Sequence, residues 1–188
     1  AEKPCAMTEE ELDAILETAQ THNVRFHEMA GTAFQEPYLT LRKTIQNNTI
    51  GDVVQVFAQK SYPFHERRPE DEDIDGGLLL QVGVHAARMV EHVAGTPIKY
   101  LNAIQTHHHN NNRGDLKRAT SLMGELTNGG LASLVVNYLN VTSFPTWGNE
   151  SLRIFGTKGF IETTDGGTRT RLVLEDEDKG PLTIPDPA

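Results

Sequence analysis

Four polar side chains stand at helical spacing inside a largely apolar run, and together they could move a proton. Residues 76–95 are mainly Gly, Leu, Val, Ala and Met. Wound as a helix, Gln81, His85, Arg88 and His92 fall at i, i+4, i+7 and i+11, on one face. An unpaired polar group on a buried helix costs roughly 1–3 kcal/mol, so this stripe must meet polar partners or line a cavity. An imidazole titrates near neutrality, which suits His85 to general acid–base work. The stripe is either an active-site wall centred on His85 or a core helix whose histidines are satisfied by neighbours. Gly76 and Gly77 would let a backbone or a ligand come close to the helix start.

Other candidates lie near strand and chain ends. Lys3, between Glu2 and Pro4, could steady a substrate oxygen or relay a proton if a pocket forms beside it. Lys60, Tyr62 and Arg68 sit at the end of a strand-like run and in the loop after it, where binding groups commonly gather. His107-His108-His109 is read against metal binding, because consecutive residues on an extended chain alternate sides. The neighbouring Asn110–Asn112 suggests an exposed polar loop, and no H-E-x-x-H occurs. Also missing are a G-x-S-x-G elbow, a P-loop and the G-x-G-x-x-G dinucleotide fingerprint.

Bulk properties narrow the classes. The chain has 188 residues and a net charge of −9, enough for one domain with a real core. No Lys/Arg run exceeds two residues, which argues against nucleic acid or an anionic membrane as partner. No apolar run approaches the ~20 residues of a membrane-spanning helix. The single cysteine, Cys5, rules out an internal disulfide and hints at a reducing, cytoplasmic setting. The opening at Ala1, not Met, leads to the expectation of a piece cut from a longer protein.

The elements that would position these residues read as follows. Thr8–Glu11 forms a capping box opening a helix over 8–22. Val24–Phe34 is expected to hold a strand. Pro37 starts a second helix with Tyr38, Leu41 and Ile45 on one face. Asp52–Tyr62 reads as a strand, 63–75 as a polar loop, and the striped helix stops at Gly95. Short β-like runs follow at Ile98–Thr106, Arg118–Leu126, Leu131–Leu139, Leu152–Phe155, Phe160–Thr163 and Arg169–Leu174. Asn128-Gly129, Gly156–Gly159 and Asp165–Gly167 mark tight turns between them. The expected fold class is α+β, a mostly antiparallel open sheet with helices on one face. Val136, Tyr138, Phe155 and Phe160 are expected to make the other face apolar enough to pair with a second copy. Residues 182–188 should trail off.

Taken in order, these pieces resemble the glucose–fructose oxidoreductase / inositol dehydrogenase (Gfo/Idh/MocA) family. The resemblance rests on Glu2-Lys3-Pro4, the helix opening at Thr8–Glu11, and Thr49-Ile50-Gly51-Asp52-Val53. It continues with the G-G-x-x-x-x-x-G-x-H pattern ending at His85, the Asn128-Gly129 hairpin and the Gly156–Gly159 turn. It implies a C-terminal domain of the dihydrodipicolinate-reductase-like kind over 36–188. Residues 1–35 would be a remnant of the end of a Rossmann domain. By the same resemblance, the parent uses NAD or NADP on a sugar, cyclitol or related polyol. Lys3 and His85 would be catalytic. Lys60, Tyr62, Arg68, Gln81 and Arg88 would bind substrate, and Glu2, Lys3 and Pro4 would lie by the cofactor. A homodimer or tetramer through the open sheet face is implied, and this chain alone should not bind the cofactor tightly.

Two departures stand out. The family's aspartate four residues before the histidine is Gln81, whose amide cannot exchange a proton. The acid often found three residues after it is Arg88, which should lower the His85 pKa. So His85 works without a carboxylate partner, or the substrate carries negative charge, or the chain is a non-catalytic binding or dimerisation module.

Overall fold

The computed structural model describes residues 1–110 and 114–185. Asn111 and Asn112 of the expected polar loop, and the last three residues of the tail, lie outside them. Helix α1 (Glu9–Thr21) opens with the expected box. Thr8 Oγ1 accepts from the Glu11 amide at 3.2 Å, and Glu11 Oε2 accepts from the Thr8 amide at 3.3 Å. Helix α2 (Tyr38–Gln46) buries Tyr38 and Leu41. Helix α3 runs through Leu79–Gly83, Val84–Arg88 and Met89–Ala94, with wide π-type turns in its first and last parts.

Among the described residues eight strands make one sheet. They are β1 (Val53–Pro63), β2 (Ile98–Thr106), β3 (Ala119–Leu126), β4 (Leu131–Asn140), β5 (Asn149–Gly156), β6 (Gly159–Thr164), β7 (Arg169–Leu174) and β8 (Glu177–Gly180). Their order is β2-β3-β4-β1-β5-β6-β7-β8. Neighbours are antiparallel except β1 and β4, which run parallel with Lys60 opposite Val136. Turn signals between consecutive strands do not reveal this pair, because α3 and the β2–β3 hairpin intervene before β4 returns beside β1.

Helices α2 and α3 cover one sheet face. Val56 and Ala58 of β1, Leu134 and Val136 of β4, and Leu152 and Ile154 of β5 are buried there with Leu41, Val82, Ala86, Met89 and Val90. Val136 and Tyr138 belong to this core, not to the open face, because they share the inward phase of β4 with Ala132 and Leu134. Phe155 and Phe160 do lie on the open face, where their rings meet at 5.4 Å and Phe57 meets Phe155 at 6.1 Å. Tyr100, Ile104, Met123 and Val135 are exposed on the same face.

The stretch expected as a strand at Val24–Phe34 forms none: residues 24–30 have no regular structure and Gly31–Phe34 is a 3₁₀ turn. A strand exists only through a neighbour's hydrogen bonds, and here just the chain start serves, with the Met29 amide donating to the Ala1 carbonyl at 2.8 Å. Gly95 ends α3 at φ 73°, a left-handed conformation that glycine adopts without penalty. Gly76 and Gly77 also have positive φ, but a Cβ on Gly77 would strike the Glu72 side chain at 2.5 Å. That crowding comes from the protein's own acidic loop. Among the described residues no helix is long and apolar enough to cross a membrane.

Candidate active site

The polar stripe of α3 divides in two. Its wide turns lie at Leu79–Gly83 and Met89–Ala94 and shift the phase around Gln81 and His92, while His85 and Arg88 share the regular turn Val84–Arg88 and part through their neighbours. Gln81 and His85 face Lys3 and Tyr62. Arg88 instead approaches Glu28 at 3.8 Å, and His92 packs on the Phe34 ring at 4.0 Å. Arg88 lines a separate hollow with Cys5, Leu12, Leu16, Phe26 and Glu28.

His85 is 6% exposed and both ring nitrogens have neighbours. The Tyr62 hydroxyl lies 3.2 Å from Nε2, and Thr32 Oγ1 lies 3.4 Å from Nδ1. Tyr62 reaches His85 because β1 presents Val56, Ala58, Lys60 and Tyr62 in one phase toward the helices. Burial pushes the His85 pKa down to about 4, helped by the Lys60 and Lys3 charges. The expected depression is therefore present, but its charged causes are these two lysines, whereas Arg88 acts on His92.

Lys60 is 3% exposed and stands behind the site. Its ammonium is paired with Glu150, directly opposite on β5, and donates to Thr32 Oγ1 at 3.2 Å. Burial and the Lys3 charge push its pKa down to about 8, and Glu150 is the counter-charge that holds it. Through these contacts Lys60 positions Thr32, and its ammonium also lies 4.8 Å from the Tyr62 ring centre.

Lys3 is half-buried. Its Nζ donates to Gln81 Oε1 at 2.6 Å and lies 5.9 Å from the Tyr62 ring centre. The Gln81 amide is oriented from the other end, since Nε2 donates to the Asp75 carbonyl at 2.9 Å. Burial, then the Arg68 charge, lowers the Lys3 pKa. Arg68 stacks on the Tyr138 ring at 3.9 Å. Burial raises the Tyr62 pKa, so its hydroxyl keeps its proton at neutral pH. Glu2 is exposed and Pro4 half-buried beside Lys3.

Lys3, Tyr62, Gln81 and His85 thus converge, with Arg68 close enough for its charge to act on Lys3 and Tyr62. Sequence reasoning missed Thr32 and Glu150. Glu150 was findable: it keeps period two with Leu152 and Ile154, which places a carboxylate on the buried face. Thr32 carried no signal. Around the triple histidine, Asn110 is buried and donates to the Gly114 carbonyl at 3.1 Å, so it holds the loop and is not its exposed tip. Among the described residues no three His, Cys, Asp or Glu side chains gather closely enough to hold a metal ion.

Solved structures share this fold. An oxidoreductase so described from Thermotoga maritima superposes with a TM-score of 0.88 at 28% identity, over 99% of this chain and 57% of that one. An aldose-aldose oxidoreductase from Caulobacter crescentus, complexed with glycerol, gives 0.83 at 17% identity, over 100% and 56%. An inositol dehydrogenase homolog from Azotobacter vinelandii, complexed with NADH and myo-inositol, gives 0.78 at 20%, over 94% and 47%. The chain therefore spans about half the length of these proteins. No curated protein matches it. The GFO/IDH/MocA C-terminal domain model matches residues 38–162, which carry β1 to β5, most of β6, helices α2 and α3, and His85. The chain belongs to the GFO/IDH/MocA family and carries that family's C-terminal domain.

Proposed function

We propose that this chain forms the substrate wall of an NAD(P)-dependent oxidoreductase acting on a hydroxyl of a sugar, cyclitol or related polyol. The observation that carries the reading is the convergence of Lys3 and Gln81 with the Tyr62–His85 pair. Glycerol and myo-inositol in two proteins of the same fold support the substrate class.

This chain spans about half of the inositol dehydrogenase homolog complexed with NADH, which supports placing the dinucleotide's main site in a nucleotide-binding domain of the parent protein. Residues 1–35 fit as the end of that domain. Helix α1 buries no residue, and Leu16, Val24, Met29 and Phe34 are exposed, as an apolar surface awaiting a covering domain would be. Lys3 would stand on this chain's side of the cofactor, whose nicotinamide would supply hydride acceptance or donation.

The chain's own residues handle the proton. His85 is neutral at pH 7 and its Nε2 can accept from the Tyr62 hydroxyl. A substrate hydroxyl placed against Tyr62 passes its proton to the phenol oxygen as the phenol proton moves to Nε2. The ammonium of Lys3 meets the oxygen that becomes a carbonyl. Lys3 and Lys60 disfavour the imidazolium, so His85 returns the proton through Tyr62 to solvent once the product leaves, while Thr32 holds Nδ1.

The open sheet face, with Ile104 82% and Met123 64% exposed, fits a second copy of the chain. A second reading, a non-catalytic module, is favoured by Gln81, which holds Lys3 with a neutral amide where a carboxylate would share a proton. A polyol screen by NAD(P)-linked absorbance on the full-length protein separates the two. Turnover supports the enzyme, and silence across sugars and cyclitols supports the module. Calorimetry of NAD(H) and NADP(H) on this chain alone tests the cofactor assignment, which micromolar binding would overturn.

A further inference from the structure

Beyond His85 the ring system continues outward. Tyr62 meets His85 edge-on at 5.9 Å. Trp147 lies 6.4 Å from Tyr62 at a 40° tilt, and His65 lies 6.3 Å from Trp147 at 38°. Trp147 is the only tryptophan in the chain, and it is 59% exposed. Its loop is nevertheless held. Asn140 Nδ2 donates to the Trp147 carbonyl at 2.9 Å and to the Thr146 carbonyl at 3.3 Å, and Thr146 Oγ1 donates to the Gly148 carbonyl at 2.6 Å. A hollow of ≈ 510 Å³ opens over His65, Glu66, Arg67 and Trp147.

We propose that this hollow is a second saccharide subsite, so that the substrate is a disaccharide or glycoside whose outer ring stacks on Trp147; this rests on the polyol reading of the His85 cluster. A pyranose has an apolar C–H face and a rim of hydroxyls. An indole floor with a guanidinium and a carboxylate at its edge offers the matching surfaces. One ring held against Tyr62 and Lys3 leaves Trp147 a ring's spacing further out. An exposed tryptophan on an anchored loop is a recognition feature whose apolar face a ligand can cover.

Trp147 is also its own reporter, because all indole emission comes from it. Titration of the chain with cellobiose and maltose should change that emission saturably, and glucose and myo-inositol should not do so at the same concentrations. In the full-length protein, Trp147→Ala should raise KM for the disaccharide about tenfold and leave KM for a monosaccharide unchanged, while Trp147→Phe keeps most of the affinity. No saturable change with either disaccharide overturns the proposal, as does an equal response to single rings. If the full-length protein oxidises monosaccharides but Trp147→Ala affects both substrates alike, the subsite fails and the polyol reading stands. If disaccharides bind at Trp147 and no polyol is oxidised, the oxidoreductase reading fails and the subsite stands. Shielding of Trp147 from an added quencher in the full-length protein, without sugar, assigns the hollow to a covering domain and overturns the proposal.

Discussion

The Tyr62 hydroxyl sits 3.2 Å from His85 Nε2, while His85 itself is almost wholly enclosed. The more accessible partner of the pair is therefore the phenol. A proton reaching His85 from a ligand on this side passes Tyr62 first, and removing the hydroxyl should disconnect the base without removing it. Tyr62→Phe in the full-length protein should lower kcat roughly 100-fold or more, with cofactor affinity unchanged. Steady-state kinetics check this, and an unaltered kcat would place Tyr62 outside the proton path.

The buried Lys60–Glu150 pair holds Thr32 and, through it, one edge of the imidazole. Breaking such a pair from one side leaves an uncompensated buried charge, at a cost of about 3–5 kcal/mol. Glu150→Ala should destabilise the fold by that order in urea. The paired change Lys60→Met with Glu150→Leu should cost clearly less, because no lone charge remains. Equal losses in the two variants would show that packing, not charge, dominates there.

The fold disfavours protonated His85, and this ties stability to pH. Below pH 6.5 an unfolded histidine takes up a proton that folded His85 refuses until about pH 4. The unfolded state binds more protons across that window, so stability falls as pH drops from 6.5 to about 4 and is flat in this respect above it. The contribution is about 3 kcal/mol. Urea midpoints at pH 7 and pH 4 should fall further for the wild type than for His85→Gln. Parallel falls would mean that His85 titrates normally in the fold.

The open sheet face carries Ile104, Met123 and Tyr100 in the open. Sedimentation equilibrium should find self-association of the wild type, weakened by Ile104→Asp with Met123→Lys. A wild-type monomer at high protein concentration would remove that face as the interface.

Most elements were legible because local signals and tertiary packing agree. The capping box at Thr8 and the hairpin at Asn128-Gly129 each imply one structure, and it forms. Where a partner decides, the sequence was mute. Val24–Met29 has strand composition but no neighbouring strand to complete it. Tyr138 looked like an outward aromatic until the phase of β4 turned it onto Arg68. In the site, Lys3, Tyr62, Gln81 and His85 were visible as types, and the structure brings them together. The single face read at 3.6-residue spacing divides at Arg88, inside the regular turn Val84–Arg88, because its guanidinium finds Glu28 on another segment, a partner that periodicity does not encode. Arg88 accordingly turned to Glu28, and the cations that lower His85 came from a strand and the chain start.

The most direct test is NAD(P)-linked oxidation of a panel of sugars, cyclitols and disaccharides by the full-length protein, wild type against His85→Ala. The account predicts turnover of at least one of these by the wild type and a loss of about 10²–10⁴-fold in kcat for the variant, with cofactor binding retained. Undiminished turnover by His85→Ala would contradict it.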